Sequence, residues 1–197
     1  MKQLLTLILL TLSMMVSAQG DSIYTVETPI YKVCYSYTKQ QPLSLEYRIT
    51  CPNGKVKRSG DFYTNDSLVT SDGYDYVDNI WDKGHLAPAA SFSCTEEMLK
   101  MTFSYLNCVL QHESLNRGVW ARLERFERSL AYFYDVEVVV NVDFDENCEV
   151  LETGATVPKG FWKTIYWGER TVTFYFPNQK IENSNWHDFM INQTKVE

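Results

Sequence analysis

The chain has 197 residues, of which 45% are hydrophobic and 14% aromatic, and its 18 basic and 25 acidic side chains give a formal net charge of −7. This composition is typical of a folded globular domain and excludes a disordered chain. The length favours one domain with a conventional core. The acidic balance argues against a protein that coats nucleic acid through bulk positive charge, but it leaves open an enzyme that reaches phosphates through a local basic cleft.

Residues 1–18 have the form of a secretory signal peptide. Lys2 precedes an apolar run over residues 4–16, and small residues at 17 and 18 resemble a cleavage site. The run is shorter than the roughly 20 apolar residues that a membrane-spanning helix needs. We therefore expect cleavage before Gln19, a secreted or periplasmic product without a membrane anchor, and a single domain over residues 19–197.

The five cysteines leave several pairings open. Export permits disulfides, but an odd number means that at least one cysteine is free or pairs between chains, and spacing does not fix the connectivity. The chain contains no C-x-x-C, H-E-x-x-H or G-x-S-x-G sequence and no glycine-rich phosphate loop. Zinc-finger, zincin, α/β-hydrolase and dinucleotide-binding functions therefore have no motif support.

The first part of the mature chain has the pattern of an antiparallel meander. Residues 31–37 and 43–50 are rich in β-branched and aromatic side chains, which predicts two strands. A Pro-Asn-Gly turn at 52–54 predicts a third strand over residues 55–62. Residues 63–82 are polar and predict a long loop, a kind of segment that is often functional.

The second part mixes helices with strands. A capping-box sequence at 93–96 predicts a helix of about three turns that ends at Phe103. Apolar residues at helical spacing predict a longer helix over residues 115–132. Further strands are predicted at residues 106–110, 136–142, 162–167 and 171–176. The fold class is therefore α+β, with a mixed, mostly antiparallel central sheet and flanking helices.

Few residues can supply acid–base chemistry, because the chain has three histidines, His85, His112 and His187. His85 lies between Gly84 and Pro88, in a segment that cannot be a continuous helix. It is the strongest candidate for a general base, although an isolated histidine is more often structural.

The predicted long helix carries an unusual polar face. Asn116, Trp120, Glu124 and Glu127 lie near one side of it at 3.6 residues per turn. An amide and two carboxylates on one face are compatible with a functional site. The alternative is that Asn116 caps the helix and that Glu124 pairs with Arg128 on the surface, worth about 0.5 kcal/mol.

Three motifs in these segments resemble a known nuclease family. Residues 82–88 read D-K-G-H-L-A-P, residues 106–111 read L-N-C-V-L-Q, and residues 115–124 read L-N-R-G-V-W-A-R-L-E. Their order and separation are similar to those of the DNA/RNA non-specific endonuclease family, which belongs to the ββα-metal, or His-Me finger, nucleases. The resemblance extends to residues 154–163 and 174–178, and implies a ββα-metal active-site motif within the α+β fold.

The resemblance also implies roles for individual residues. His85 would be the general base, Asn107 an orienting amide beside it, and Asn116 the protein ligand of a single Mg²⁺, or of Mn²⁺ in its place. Glu124 would hold metal-bound water, and Arg128 and Arg58 would meet the phosphate. A hard cation that keeps several waters suits such a small set of protein oxygens.

The sequence departs from the family pattern at several positions. Lys83 stands where the family has arginine, so a bidentate phosphate contact is lost there. Lys83→Arg is therefore expected to raise kcat/KM by up to about tenfold. The segment around Asn107 lacks the family's serine and proline, and the chain stops at Glu197, where relatives usually continue.

The expected function is an exported, Mg²⁺-dependent endonuclease that hydrolyses phosphodiester bonds of DNA and RNA. The first alternative is a catalytically impaired nucleic-acid-binding module on the same fold. In that case, Lys83 in place of arginine and the early C-terminus would indicate that catalysis has been lost. The second is a structural or adhesive β-rich domain, which gives no reason for the polar face around Asn116. The sequence leaves the oligomeric state open.

Overall fold

The computed structural model describes residues 11–16, 22–64 and 68–195. Within these ranges the strands are β1 (Thr11–Val16), β2 (Ser22–Glu27), β3 (Tyr31–Ser36), β4 (Gln41–Arg48), β5 (Trp81–His85), β6 (Cys108–His112), β7 (Val136–Asp143), β8 (Gly160–Trp167), β9 (Arg170–Pro177) and β10 (Met190–Lys195). The helices are α1 (Glu96–Met101), α2 (Glu113–Leu115) and α3 (Ala121–Leu130), and a π-helical turn (Asn116–Trp120) joins α2 to α3. Short 3₁₀ turns occupy Gly73–Tyr76, Ala89–Ser91, Tyr105–Asn107 and Trp186–Phe189.

The strands form two sheets. The large sheet has the order β1-β2-β3-β4-β7-β8-β9-β10, and its neighbouring strands are antiparallel. The second sheet is the antiparallel pair β5-β6, in which Lys83 faces Leu110 and His85 faces Cys108. The predicted α+β class with a mostly antiparallel sheet is confirmed.

The core lies between the large sheet and the helix that follows β6. Alternate residues of the central strands, such as Val138 and Val140, are fully buried, as expected for a sheet with one face in the core. From the helix side, the ring of Trp120 lies 5.5 Å from that of Phe161 and 5.6 Å from that of Phe176. These contacts hold the π-helical turn and α3 against β8 and β9.

Strand β1 lies inside the predicted signal peptide. It pairs with β2 from Thr11 opposite Glu27 to Val16 opposite Ser22. The remainder of the predicted signal peptide, residues 1–10 and 17–18, lies outside the described residues. Cleavage before Gln19 would remove β1 and leave β2 at the sheet edge. None of the helices in the described part of the chain has the length and apolarity that spanning a membrane requires.

The predicted strand over residues 55–62 is wrong. The disulfide between Cys51 and Cys94 directs the chain away from β4 and toward the segment before α1. The amide of Val56 then donates to the carbonyl of Ser93 at 2.9 Å, and the amide of Tyr63 donates to Phe103 at 2.9 Å. Residues 52–63 therefore form an irregular arm.

The helices also differ in their boundaries from the sequence patterns. α1 is shorter than predicted: Thr95 caps it by accepting the Met98 amide at 3.1 Å, and it ends at Met101. The second helix begins two residues earlier than predicted, and it is interrupted at Gly118, where φ is −99° and ψ is −111°. Strands β2, β5 and β10 lie in segments for which the sequence predicted no strand, because their alternation is short or interrupted by polar residues.

Candidate functional site

The candidate site is built on β5, β6 and the helix that follows them. Strand β5 approaches β6 closely because Gly84 has no side chain: a Cβ there would lie 2.6 Å from both Cβ and Oε1 of Gln111. Any larger residue would push the strands apart. Side chains alternate along β5, so Lys83 and His85 project to one face and Asp82 to the other.

His85 lies at the end of β5 in an apolar environment. Its ring centroid is 4.8 Å from that of Phe62 and 5.2 Å from that of Phe103. Its Nε2 atom is buried and has no hydrogen-bond partner among the described residues. Burial lowers the pKa of His85 to about 3, and the nearby charge of Arg58 contributes to the shift. The imidazole is therefore neutral at pH 7 and can accept a proton.

Asn107 holds the peptide that follows His85. Its Oδ1 accepts the Ala87 amide at 2.7 Å, and its Nδ2 donates to the carbonyls of Ala87 and Thr102, both at 2.9 Å. Both amide donors are therefore used by backbone groups. The resemblance gave Asn107 an orienting role beside His85. In the structure its hydrogen bonds go to the backbone of Ala87, two residues beyond His85.

Arg58 lies on the irregular arm and is exposed. Its charge lowers the pKa of both His85 and Glu124, so it lies within electrostatic reach of both groups. The disulfide Cys51–Cys94 fixes the start of this arm, while Cys34, Cys108 and Cys148 are free. The structure thereby selects one of the pairings that the sequence left open.

Lys83 occupies a cage of aromatic rings on the same face of β5 as His85. Its Nζ lies 5.6, 6.0 and 5.5 Å from the ring centroids of Phe62, Tyr76 and Tyr105, and 3.4 Å from Oδ1 of Asp61. Burial lowers the pKa of Lys83, but the hydrogen bond to Tyr105 and the charge of Asp61 outweigh this effect and raise it. Lys83 is therefore a positive charge beside His85.

Asn116 is oriented by Asp82, on the other face of β5. The Nδ2 of Asn116 donates to Oδ2 of Asp82 at 2.9 Å. The same carboxylate accepts two hydrogen bonds from Arg117, at 2.9 and 2.6 Å. Because Asp82 engages the nitrogen of the Asn116 amide, the oxygen of that amide is the atom left for a ligand.

Glu124 and Arg128 lie one turn apart on α3, and Glu124 is within electrostatic reach of Arg58 on the arm. Burial raises the pKa of Glu124 to about 7, while the charges of Lys163, Arg128 and Arg58 oppose that shift and the charge of Glu127 adds to it. Nη1 of Arg128 is buried without a hydrogen-bond partner among the residues that the structure describes. A buried, unpaired guanidinium nitrogen is a ready donor for an anion.

A buried ion pair lies behind Glu124. Nζ of Lys163 is 2.7 Å from Oε1 of Glu127, both side chains are fully buried, and Tyr47 donates to the other carboxylate oxygen at 2.7 Å. The Lys163 ammonium also lies 4.2 Å from the ring centroid of Trp120. The pair joins α3 to strands β4 and β8, and so fixes the helix face that carries Glu124.

The structure places Arg58 within electrostatic reach of both His85 and Glu124, and Arg128 within reach of Glu124. Asn116 contacts Asp82, which precedes Lys83 on β5. Sequence reasoning missed Phe62, Asp82 and Lys163. Asp82 lies within the D-K-G-H peptide, and a polar residue there could have been paired with the helix. Lys163 gave no signal, because a lysine in an apolar strand pattern predicts a solvated side chain.

Two antiparallel strands that lead into a helix, with a neutral histidine on the first strand and an amide on the helix, define the ββα-metal fold class. The chain belongs to the DNA/RNA non-specific endonuclease family, whose sequence profile matches residues 12–197.

Individual relatives support this assignment. The mitochondrial nuclease of Saccharomyces cerevisiae is 28% identical over 183 residues, which cover 76% of this chain and 55% of that protein. The nuclease of Serratia marcescens is 32% identical over 91 residues, covering 43% of this chain and 34% of that protein. The mitochondrial nuclease EXOG of Danio rerio is 40% identical over 73 residues, covering 36% and 21%. The chain therefore spans between about a fifth and about half of the length of these relatives.

A solved structure has the same fold. A chain in the crystal structure of the EndoG/EndoGI complex superposes with a TM-score of 0.75 at 22% sequence identity, covering 85% of this chain and 80% of that one. At this identity the similarity concerns the fold alone.

Proposed function

We propose that this protein is an exported, Mg²⁺-dependent endonuclease that hydrolyses phosphodiester bonds of DNA and RNA with little sequence preference. The observation that carries the proposal is the neutral His85 imidazole, held in an apolar environment within reach of the Arg58 charge. An imidazole that is neutral at pH 7 has a nitrogen lone pair that can accept a proton from water. The names of the relatives support the reaction class.

The residues of the candidate site have separate roles in phosphodiester hydrolysis. His85 takes the proton from the water that attacks phosphorus. Arg58, Lys83 and the unpaired Nη1 of Arg128 bind phosphate oxygens. Asn107 keeps the peptide after His85 in place through its bonds to Ala87. None of these groups reads a base edge, so cleavage is independent of sequence and weakens as salt rises.

The residues present fit a hard cation. Asn116 has a side-chain amide that Asp82 orients through its nitrogen, and Glu124 is a partly exposed carboxyl further along the same helical segment. No cluster of three or more His, Cys, Asp or Glu side chains suited to a metal occurs in the described parts of the chain. Mg²⁺ keeps several waters and takes few protein ligands, so a single amide oxygen suits it. When bound, Mg²⁺, or Mn²⁺ in its place, would neutralise charge on the leaving 3′ oxygen.

Export is supported by two observations. Residues 1–18 have the form of a cleavable signal peptide, and the Cys51–Cys94 disulfide suits an oxidising compartment. Mass spectrometry of the N-terminus after expression with the full leader tests this part: a secreted or periplasmic protein that begins at Gln19 is expected, and an uncleaved cytoplasmic chain would contradict it.

Digestion of supercoiled plasmid and single-stranded RNA, with Mg²⁺ and with EDTA, tests the activity. His85→Ala is expected to lower the rate by about 10²-fold or more with an unchanged metal titration. Asn116→Ala is expected to move the titration to higher Mg²⁺ and to recover partly with excess metal. The exposed residues His187 and Asn147 provide controls, His187→Ala and Asn147→Ala, that should match the wild type.

Other outcomes would favour the alternatives. Binding of DNA without cleavage in either condition would identify a catalytically impaired binding module. An Asn116→Ala titration that overlays the wild type would reduce Asn116 to a structural residue, and full activity in His85→Ala would remove the mechanism.

A further inference from the structure

Two aromatic rings contact the His85 imidazole. Phe62 and Phe103 contact the imidazole at 4.8 and 5.2 Å, and their own ring centroids are 5.3 Å apart, so the three rings form one cluster. The buried Nε2 has no hydrogen-bond partner in the described ranges. A histidine base is usually oriented by a hydrogen bond to a carboxylate or carbonyl. In this protein the apolar cluster orients the imidazole instead.

Phe62 belongs to the irregular arm, residues 52–63, which is attached mainly at its two ends. Between the ends, the Val56 amide donates to Ser93 at 2.9 Å and Asp61 lies 3.4 Å from Nζ of Lys83. At its start the Cys51–Cys94 disulfide and the contact of Gly54 with Ser93 join it to the segment before α1; a Cβ on Gly54 would lie 2.3 Å from the Ser93 carbonyl carbon. At its end Tyr63 exchanges backbone hydrogen bonds with Phe103 and Tyr105 at 2.9 and 3.0 Å. Most of the arm between these points is exposed.

We propose that Phe62 is a positioning residue for His85, and that the Cys51–Cys94 disulfide keeps Phe62 on the imidazole, so that full activity requires this disulfide to be oxidised. The inference rests on the proposed function, because it concerns the state of the catalytic base. Breaking the disulfide frees the start of the arm, which increases its accessible conformations and admits water to His85.

The protonation of His85 reports on this cover, because the charged groups described near it either belong to the arm or pair with it. Arg58, on the arm, acts on His85 and disfavours the imidazolium. Lys83, on β5, lies across the Phe62 ring and pairs with Asp61 of the arm. Movement of the arm would carry Arg58 and Phe62 away together, and both changes favour protonation of His85 near its ordinary pKa of about 6.5.

The first experiment compares Phe62→Ala with Phe62→Leu. NMR titration of the histidine ring protons is expected to show His85 neutral down to pH 5 in the wild type and in Phe62→Leu, but titrating near pH 6 in Phe62→Ala. In plasmid cleavage at pH 8, where the imidazole is neutral in every variant, Phe62→Ala is expected to lower kcat by about tenfold, because the ring loses its fixed orientation, with KM changed less than about twofold. Phe133→Ala, at an exposed phenylalanine beyond α3, is the control.

The second experiment tests the disulfide. Reduction with a phosphine is expected to lower the kcat of the wild type and to bring His85 into titration. Cys51→Ser/Cys94→Ser should show the same lowered kcat with and without reductant. Cys34→Ser/Cys148→Ser, which removes two free cysteines, should respond to reductant as the wild type does.

The outcomes separate this inference from the proposed function. Unchanged His85 titration in Phe62→Ala, or wild-type kcat in the folded, reduced protein, would overturn the inference. A wild type that cleaves neither DNA nor RNA in either redox state would overturn the proposed function, while the NMR titration of Phe62→Ala would still decide whether Phe62 controls His85. If Cys51→Ser/Cys94→Ser fails to fold, the titrations of the reduced wild type and of Phe62→Ala decide between the two outcomes.

Discussion

The two sides of the candidate site are built in opposite ways. On the His85 side, aromatic rings contact the imidazole, and its buried Nε2 has no hydrogen-bond partner among the described residues. Around Asn116 and Glu124, charges are matched in pairs: Asp82 with Arg117 near the amide, and Glu127 with Lys163 near the carboxyl. A base must stay neutral, whereas groups that hold a cation must stay polar. Within strand β5, Asp82 and His85 point to opposite faces, because side chains alternate along a strand.

The largest effect is expected on stability, when the buried cation of the Glu127–Lys163 pair is removed. Lys163→Met leaves the buried Glu127 carboxylate without its cation, and we expect the free energy of unfolding to fall by about 3–5 kcal/mol. Urea unfolding measures this loss. Lys180→Met, at an exposed lysine that pairs with Glu182, should change stability by less than about 0.5 kcal/mol. A loss below about 1 kcal/mol in Lys163→Met would show that the pair does not anchor α3.

Removing the carboxylate that orients Asn116 should have a smaller effect, limited to the dependence of the rate on Mg²⁺ concentration. In Asp82→Ala the Asn116 amide loses its partner and is free to rotate, so the Mg²⁺ concentration for half-maximal rate should rise about tenfold, which corresponds to about 1.4 kcal/mol. Glu113→Ala removes another carboxylate that contacts Arg117 and leaves Asn116 bonded, so it serves as the control. Equal metal titrations for the two variants would contradict this positioning role.

The apolar environment of His85 should make the free energy of unfolding depend on pH. The pKa of His85 is about 3 in the folded protein, below its ordinary value of about 6.5, so the unfolded chain binds the proton first. The stability that the neutral imidazole contributes is complete above pH 6.5 and is lost as pH falls toward 3. The stability difference between wild type and His85→Gln should therefore shift by about 1 kcal/mol against the wild type between pH 7.5 and 5.5.

Glu124 acts in the opposite direction and must be controlled. Its raised pKa, about 7, means that the folded state binds this proton more tightly, so its contribution to stability is lost as pH rises from about 4.5 to 7. Because Glu124 is present in both wild type and His85→Gln, its contribution cancels in the difference between them. A difference that stays constant with pH would show that His85 is not in an apolar environment.

The smallest effect is expected at Lys83. The family pattern alone predicts a gain of up to about tenfold in kcat/KM for Lys83→Arg, but the aromatic cage and Asp61 already fit an ammonium group. We therefore expect kcat/KM to change by less than about threefold, with Lys57→Arg on the exposed arm as the control. A gain near tenfold would show that the cage does not compensate for the missing guanidinium.

Much of the fold could be predicted from local patterns. The strands at β3, β4, β7, β8 and β9 follow from β-branched and aromatic runs, because one face of each packs into the core. The helix after β6 follows from its apolar spacing. The arm could not be predicted: its alternation and the Pro-Asn-Gly turn are typical of a hairpin, and a disulfide to a distant segment overrides them.

The sequence by itself determined the family, through three ordered motifs, and with it the candidate residues His85, Asn107, Asn116, Glu124 and Arg128. Only the tertiary structure decided what surrounds them: Phe62 on His85, Asp82 on Asn116, and Lys163 behind Glu124. The reason is physical. Residue type and spacing specify which chemical groups are available, whereas the protonation and orientation of a group depend on neighbours that are brought together from distant parts of the chain.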